Sequence, residues 1–171
     1  MADTRLIHRG ALAACTPVNS ADISLAPLPE GHLIQLIGPA DRAEVPVPQP
    51  DSAVYANGPG QWFIVGEAPL SRAALGTFLG GLPKGAVAVD QSHGRVRVRI
   101  AGPRVERVLE KGTGVDLTEA VFPVGHSATT LIGHLAVHVA RTGDASFELT
   151  VLRSFAESLW DDLVRMSREF A

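Results

Sequence analysis

Six histidines, one cysteine and a run of alternating arginines are the residues of this 171-residue chain with the most chemistry to offer. His134-x-x-x-His138 has the spacing that brings two imidazoles onto one zinc ion when the segment is helical. The residues around it are β-like, however, and four residues of strand span ~13 Å, too far for a shared ion. The two are therefore expected to be structural or surface histidines. Ser92 and His93 resemble a nucleophile beside its base. Adjacent residues on a strand point to opposite faces, and no G-x-S-x-G elbow surrounds them, so the reading is a turn. Cys15, in Ala13-Ala14-Cys15-Thr16-Pro17, has no basic neighbour to lower its pKa and is expected to act as a small apolar side chain. No residue is assigned to catalysis, to a cofactor or to a metal.

Two features point to binding instead. Arg95-Val96-Arg97-Val98-Arg99-Ile100 alternates strictly, which predicts a strand with one aliphatic face and one face of Arg95, Arg97 and Arg99. Guanidinium forks match carboxylates, so this face is a candidate partner interface, beside the plainer reading of a solvated strand face. Trp160 lies off the main apolar stripe of the last predicted helix, with Val164 one turn later. An aromatic residue at such an edge is either an interface anchor or a cover for the core.

The elements that must position these residues are legible from punctuation and periodicity. His32–Ile37, closed by Gly38-Pro39, and Gln61–Val65, opened by Gly58-Pro59-Gly60, read as two buried strands that pair. The prolines at 46, 48 and 50 make residues 39–53 an exposed loop. Ala74, Leu75, Phe78, Leu79 and Leu82 recur at helical spacing from Ser71, and Gly80-Gly81 offers a left-handed end. Val87–Val89 is a third strand. Gly102-Pro103 opens a helix that buries Val105, Val108 and Leu109 up to Gly112. Residues 130–141 form one long strand or a bent pair, followed by the strand Phe147–Val151. The last helix carries an S-x-x-E capping box at Ser154 and Glu157, with Phe155, Leu159, Leu163, Met166 and Phe170 as its stripe. Helices interrupt pairs of strands, so the fold class is α+β with split β-α-β, ferredoxin-like halves. The segments 62–82 and 147–166, each a strand feeding a helix, hint at a structural repeat.

Composition sets the outer limits. Hydrophobic residues make up 46% and charged residues 19%, as in an ordinary globular domain. A net charge of −3 supplies no basic field for nucleic acid. Apolar stretches break well before the ~18 residues of a membrane span. One unpairable cysteine and an N-terminus without a signal-peptide pattern predict a cytoplasmic protein.

Several motifs together carry a resemblance: Gly58-Pro59-Gly60-Gln61-Trp62-Phe63-Ile64-Val65, Val89-Asp90-Gln91-Ser92-His93, Ala101-Gly102-Pro103, Val115-Asp116-Leu117-Thr118, Phe122-Pro123, and Arg153-Ser154-Phe155-Ala156-Glu157-Ser158-Leu159-Trp160. In this order they resemble the gamma subunits of heterotetrameric sarcosine oxidases, over residues 58–171. The Arg153–Trp160 block is the most specific part. Residues 1–57, with a strand and the proline-rich loop, are expected to belong to the same domain as the 58–171 core.

The resemblance implies a non-catalytic accessory subunit. The complex of alpha, beta, gamma and delta subunits oxidatively demethylates sarcosine to glycine, forming hydrogen peroxide and 5,10-methylenetetrahydrofolate. FAD, FMN, NAD and tetrahydrofolate are then held by partner subunits, and direct contact is expected with alpha. The implied fold is that of the folate-binding domain of aminomethyltransferases, and a stand-alone folate-binding or aminomethyltransferase-like protein is the alternative. Folate-binding relatives carry a longer loop, with an extra glutamate and glycine, between Arg-Thr-Gly and Phe-Glu. Here Arg141-Thr142-Gly143 reaches Phe147-Glu148 through Asp144-Ala145-Ser146 alone. A buried polar heterocycle needs several placed partners, so the short loop argues against folate binding. Gln91 also departs from the family, which usually has an aliphatic residue there.

Overall fold

A computed structural model describes residues 8–38 and 41–171. The expectation of a missing leader concerns residues 1–7, and that of an exposed loop begins at 39–40; both of these stretches lie outside the described residues. The alternating Arg95–Ala101 segment forms a strand near the middle of a six-stranded antiparallel sheet. In chain order the strands are β1 (Val18–Asn19), β2 (Ser24–Pro27), β3 (His32–Ile37), β4 (Ala53–Gly58), β5 (Gln61–Gly66), β6 (Val87–Asp90), β7 (Arg95–Ala101), β8 (Ser127–Ile132), β9 (Leu135–Gly143) and β10 (Ser146–Leu152). The helices are α1 (Arg72–Gly80), α2 (Val105–Leu109) and α3 (Ala156–Ser167). The larger sheet has the order β1-β2-β7-β10-β9-β8 and the smaller β4-β5-β3-β6. In the smaller sheet β5 and β6 flank β3, with α1 between them in sequence. In the larger, β7 and β9 flank β10, with α2 between them. Both are split β-α-β units in a mixed, mostly stranded α+β fold.

Alternation decides where the core sits. Val96, Val98 and Ile100 of β7 and Phe147, Leu149 and Val151 of β10 point to one face of the larger sheet, where α2 and α3 cover them with Val105, Val108, Leu109, Leu159 and Leu163. Ile34, Leu36, Trp62 and Ile64 form the outer face of the smaller sheet, with Leu75 and Phe78 of α1 packed against it. α1 itself has no fully buried residue, so its predicted stripe is only half-buried.

Some local expectations give way, and open alternatives are decided. Ser154 does not cap α3: Arg153–Phe155 form a 3-10 turn, and Phe155 occupies the cap without a side-chain bond. A residue inside a turn lacks the extended backbone that an N-cap needs. Gly81 has φ −93°, and α1 ends through its N–H to Thr77 and Phe78 carbonyls without a left-handed residue. Residues 130–141 are a bent pair, turning at Gly133 (φ +59°) and His134 between β8 and β9. Trp160 is 4% exposed and belongs to the core beside Leu159 and Leu163, because the buried stripe of α3 is wider than one residue per turn. The proline-rich stretch ends in β4, and Val45 within it is buried.

Candidate functional site

The ladder register brings the polar side chains of three strands to one surface. Arg99 pairs with Glu148 and Arg97 with Thr150 across β7 and β10, while Glu148 pairs with Ala140 and Thr150 with His138 across β10 and β9. These residues face Leu33, Tyr55, Phe63 and Val65 on the inner face of the smaller sheet. The arginine face of β7 is thus turned toward the second sheet, which corrects the reading of a solvated strand face at Arg97, while Arg99 stays exposed and Arg95 half-buried. Val96, Val98 and Ile100 already fill the helix-side core, so the opposite face of β7 has to meet the second sheet.

At the centre lies a buried ion pair. Arg97, 7% exposed, donates from Nη1 to Glu148 Oε1 at 3.2 Å and from Nη2 to the Gly66 carbonyl at 2.8 Å. Burial pushes the Glu148 carboxyl above its ordinary range, an effect that the Arg97 charge partly offsets. A cavity of about 300 Å³ opens beside the pair, lined by Asp51, Tyr55, Glu67, Arg99 and Thr142 among others. Burial and the Glu148 charge push the Tyr55 hydroxyl up to about 12, so it stays neutral. Arg99 sits at the rim and donates to Glu67 at 3.1 Å. His138 donates from Nε2 to the Ala56 carbonyl at 2.9 Å, so the proton of the neutral ring sits on Nε2, and the ring stacks edge-on against Phe63. Burial lowers its pKa, which favours the neutral ring.

Of the four predicted interface residues, Arg97 and Trp160 are held inside the chain, while Arg99 reaches solvent and Arg95 is half-buried. Arg95 lies over the Phe63 ring, with Cζ 4.8 Å from its centroid, and donates from Nε to Gln91 Oε1 at 3.1 Å. Gln91 donates to Gln35 at 3.1 Å, and Gln35 to Gln61 at 3.3 Å, so four side chains form a polar line across β5, β3 and β6 to β7.

The other candidates are accounted for locally. Ser92 donates from Oγ to Asp90 Oδ1 at 2.5 Å and accepts from the Leu33 N–H at 3.0 Å, clamping the turn between β6 and β7. Ser92 and His93 line a second cavity of about 340 Å³ with His8, Glu30 and Asp90, but Ser92 is committed to its turn. Partial burial and the charges of Glu157 and Asp161 raise the Cys15 pKa, which keeps the thiol protonated. His134 is exposed in a turn whereas His138 is buried between sheets. Among the described residues, no group of three or more histidine, cysteine, aspartate or glutamate side chains is placed to hold a metal ion, and no helix is long and apolar enough to cross a membrane.

Sequence reasoning missed two buried polar anchors. Arg141, 2% exposed, donates to the carbonyls of Leu117 (2.8 Å), Phe122 and Asp144, and pairs with Glu106 at 2.8 Å. It ties α2, the 117–122 segment and the β9–β10 turn to one guanidinium. His32 is held through both ring nitrogens, by the Ala68 carbonyl at 2.8 Å and Ser52 Oγ at 2.9 Å. A polar residue opening an apolar strand was the only signal for His32. For Arg141 it was a lone arginine at the end of a long apolar run. Between Gly143 and Ser146, β9 and β10 are joined by Asp144 and Ala145 alone, so the short loop is a tight hairpin turn.

Residues 49–171 match the model of the GCVT N-terminal domain family. The chain belongs to that family. Among curated proteins, this GCVT-type chain is 29% identical over 134 residues to the sarcosine oxidase subunit gamma of Corynebacterium sp. (strain U-96), covering 78% of this chain and 64% of that protein. It is 31% identical over 121 residues to the subunit gamma from strain P-1, covering 70% and 59%. The chain thus spans about three-fifths of the length of these relatives. Among solved structures, it superimposes with a TM-score of 0.81 on a chain of the heterotetrameric sarcosine oxidase from Corynebacterium sp. U-96, in complex with pyrrole 2-carboxylate, at 22% identity over 95% of this chain and 96% of that one. Aminomethyltransferase T of the glycine cleavage system from Bartonella henselae matches with a TM-score of 0.59 and 16% identity, over 84% of this chain and 46% of that one. The folate-binding-like fold expected from the sequence is therefore present in this member of the GCVT N-terminal domain family.

Proposed function

We propose that this chain is a non-catalytic accessory subunit of a heterotetrameric sarcosine oxidase, a complex that demethylates sarcosine oxidatively. Its partners would be the alpha, beta and delta subunits, with direct contact to alpha, and these would hold FAD, FMN, NAD and tetrahydrofolate. The observation that carries the reading is the end-to-end superposition on a chain of such a complex, with 95% and 96% of the two chains matched. The chemistry of the inter-sheet space supports it. Arg97 and Glu148 are spent on each other, Arg97 also on Gly66, and Arg99 on Glu67, so these four charges of the cleft are already committed within the chain and are not open to a bound polar heterocycle. The two-residue β9–β10 turn leaves no loop to close over a ligand beside Thr142 and Glu148.

Co-expression with the alpha, beta and delta subunits tests this. A tag on this chain is expected to recover a yellow, flavin-containing complex that oxidises sarcosine, whereas the isolated chain is expected to give no calorimetric signal with tetrahydrofolate. Recovery of the tagged chain alone, or tight tetrahydrofolate binding by it, would favour the stand-alone folate-binding reading.

A further inference from the structure

The same register that closes the inter-sheet space around Arg97 opens it at the other end. Across the larger sheet, Leu131 pairs with Ala136 and Leu152 with Arg95, on the face that carries His138 and Arg97. Across the smaller sheet, Ile37 pairs with Gln61 and with Val87, and Gln35 with Val89, on the face that carries Phe63. His138 and Arg95 both contact Phe63, which aligns these two rows at one end of the sandwich. There the facing rows are left uncovered: Ile37, Val87, Val89, Leu131 and Leu152 are each between 43% and 60% exposed. Five of the chain's exposed large apolar side chains thus line the two lips of one mouth, and scattered single exposures would not share a face in this way.

The floor of the mouth carries a charge without a counter-charge. Arg95 makes one hydrogen bond, from Nε to Gln91, and has no carboxylate within ion-pair distance among the described residues. Arg97, Arg99, Arg141 and Arg153 all have one. Burial lowers the Arg95 pKa, a sign that its charge is partly stripped of water with no anion to offset it. Phe63 beneath the guanidinium supports the cation from one side only.

We infer that this end of the sandwich, between the row of Leu131 and Leu152 on one sheet and the row of Ile37, Val87 and Val89 on the other, receives an apolar segment of a partner subunit that delivers a carboxylate to Arg95. This rests on the accessory-subunit reading above and narrows the predicted interface to Arg95 and the two lips. The apolar walls bury the segment's side chains, and the arginine fixes its register through a paired fork.

The test is assembly of the co-expressed complex. Arg95→Glu, Val89→Asp and Leu131→Asp are each expected to lower the recovery of flavin-containing subunits by about tenfold or more. Arg95→Lys keeps the charge but loses the fork, and is expected to give a recovery between wild type and Arg95→Glu. Val121→Asp and Val124→Asp alter valines that are equally exposed but lie outside both sheets, and are expected to assemble like wild type. Urea midpoints of the isolated variants show whether each folds, and the two lip variants decide the matter if Arg95→Glu does not. Slowed amide exchange in β6 and β8 on assembly is the expected second readout. If wild type assembles and the lip variants assemble equally well, the proposal fails while the accessory-subunit reading stands. If wild type recovers no partner, that reading itself fails. A homodimer of the isolated chain that Val89→Asp abolishes, with the complex unaffected, assigns the mouth to a second copy and overturns the proposal.

Discussion

Replacing Arg97 with methionine isolates the energetics of the inter-sheet pair, since methionine keeps the length and apolar stem of the side chain. The substitution removes the 3.2 Å bond to Glu148 and the 2.8 Å bond to Gly66, and it leaves a carboxylate whose side chain is 5% exposed. Breaking a buried pair by removing one partner costs about 3–5 kcal/mol at neutral pH. For a chain of this length that is a fall of about 6–20 °C in Tm. The pH dependence has a definite sign. Glu148 has a raised folded pKa, so its favourable contribution is fully present below the ordinary value of 4.5 and is lost as pH rises through the folded value. Removing Arg97 takes away the main influence that lowers this pKa. The penalty is therefore expected to be largest at pH 7 and to shrink as the solution is acidified.

Chemical denaturation at pH 5 and pH 7, on wild type, Arg97→Met, Glu148→Leu and the double variant, completes a cycle. The double variant removes the stranded charge and is expected to lie about 1–3 kcal/mol below wild type, the cost of the Gly66 carbonyl left without a donor. An Arg97→Met penalty under about 1 kcal/mol at pH 7 is what an exposed pair gives, and it would refute the reasoning. So would a double variant no more stable than Arg97→Met.

Two further substitutions probe the surroundings of the pair. His138, buried with a lowered pKa, contributes stability that is present above its ordinary value of 6.5 and lost as pH falls through the folded value; His138→Gln is expected to flatten that acid-side loss in urea titrations, and an unchanged slope would contradict the assignment. A Cβ at Gly66 would lie 2.1 Å from His32 Cε1, and the imidazole cannot retreat because both its nitrogens are bonded. Gly66→Ala is expected to cost about 3 kcal/mol in the wild-type background and far less in His32→Ala, as measured by thermal denaturation.

The legible parts of the fold were those fixed by local periodicity. The alternation of Arg95–Ile100 and the spacing of Val105, Val108 and Leu109 each gave an element whose buried side could be named in advance. β1, β2 and β4 were not named, because two- to six-residue strands next to prolines carry too little pattern, and only the pairing of β1 to β2, β2 to β7 and β4 to β5 makes them strands. The arginine face was identified correctly, yet its surroundings were not. Alternation tells which residues share a face, and no local signal tells that a second sheet will cover that face at Arg97 and leave it at Arg95. Trp160 stayed open between an interface anchor and a cover for the core because its distance from the stripe was measured on an ideal helix, whereas α3 buries a broader arc that includes it. The capping box failed because β10 continues into a 3-10 turn through the Arg153 N–H bond to the Gly94 carbonyl, a contact between residues 59 positions apart.

The two faces of the larger sheet divide the labour of the molecule. Its helix side holds an unbroken apolar cluster from Leu12 to Leu163, the kind of burial that supplies most folding free energy. Its other side carries Arg95, Arg97, Arg99, His138, Glu148 and Thr150, a layer that well-packed apolar residues would replace at little cost or even with gain. Such a layer is tolerable only because the helix side does not depend on it. Substitutions in it that keep charges paired should therefore leave the fold standing and act on what the second sheet presents: the closed pair at Glu148, or the open mouth at Arg95.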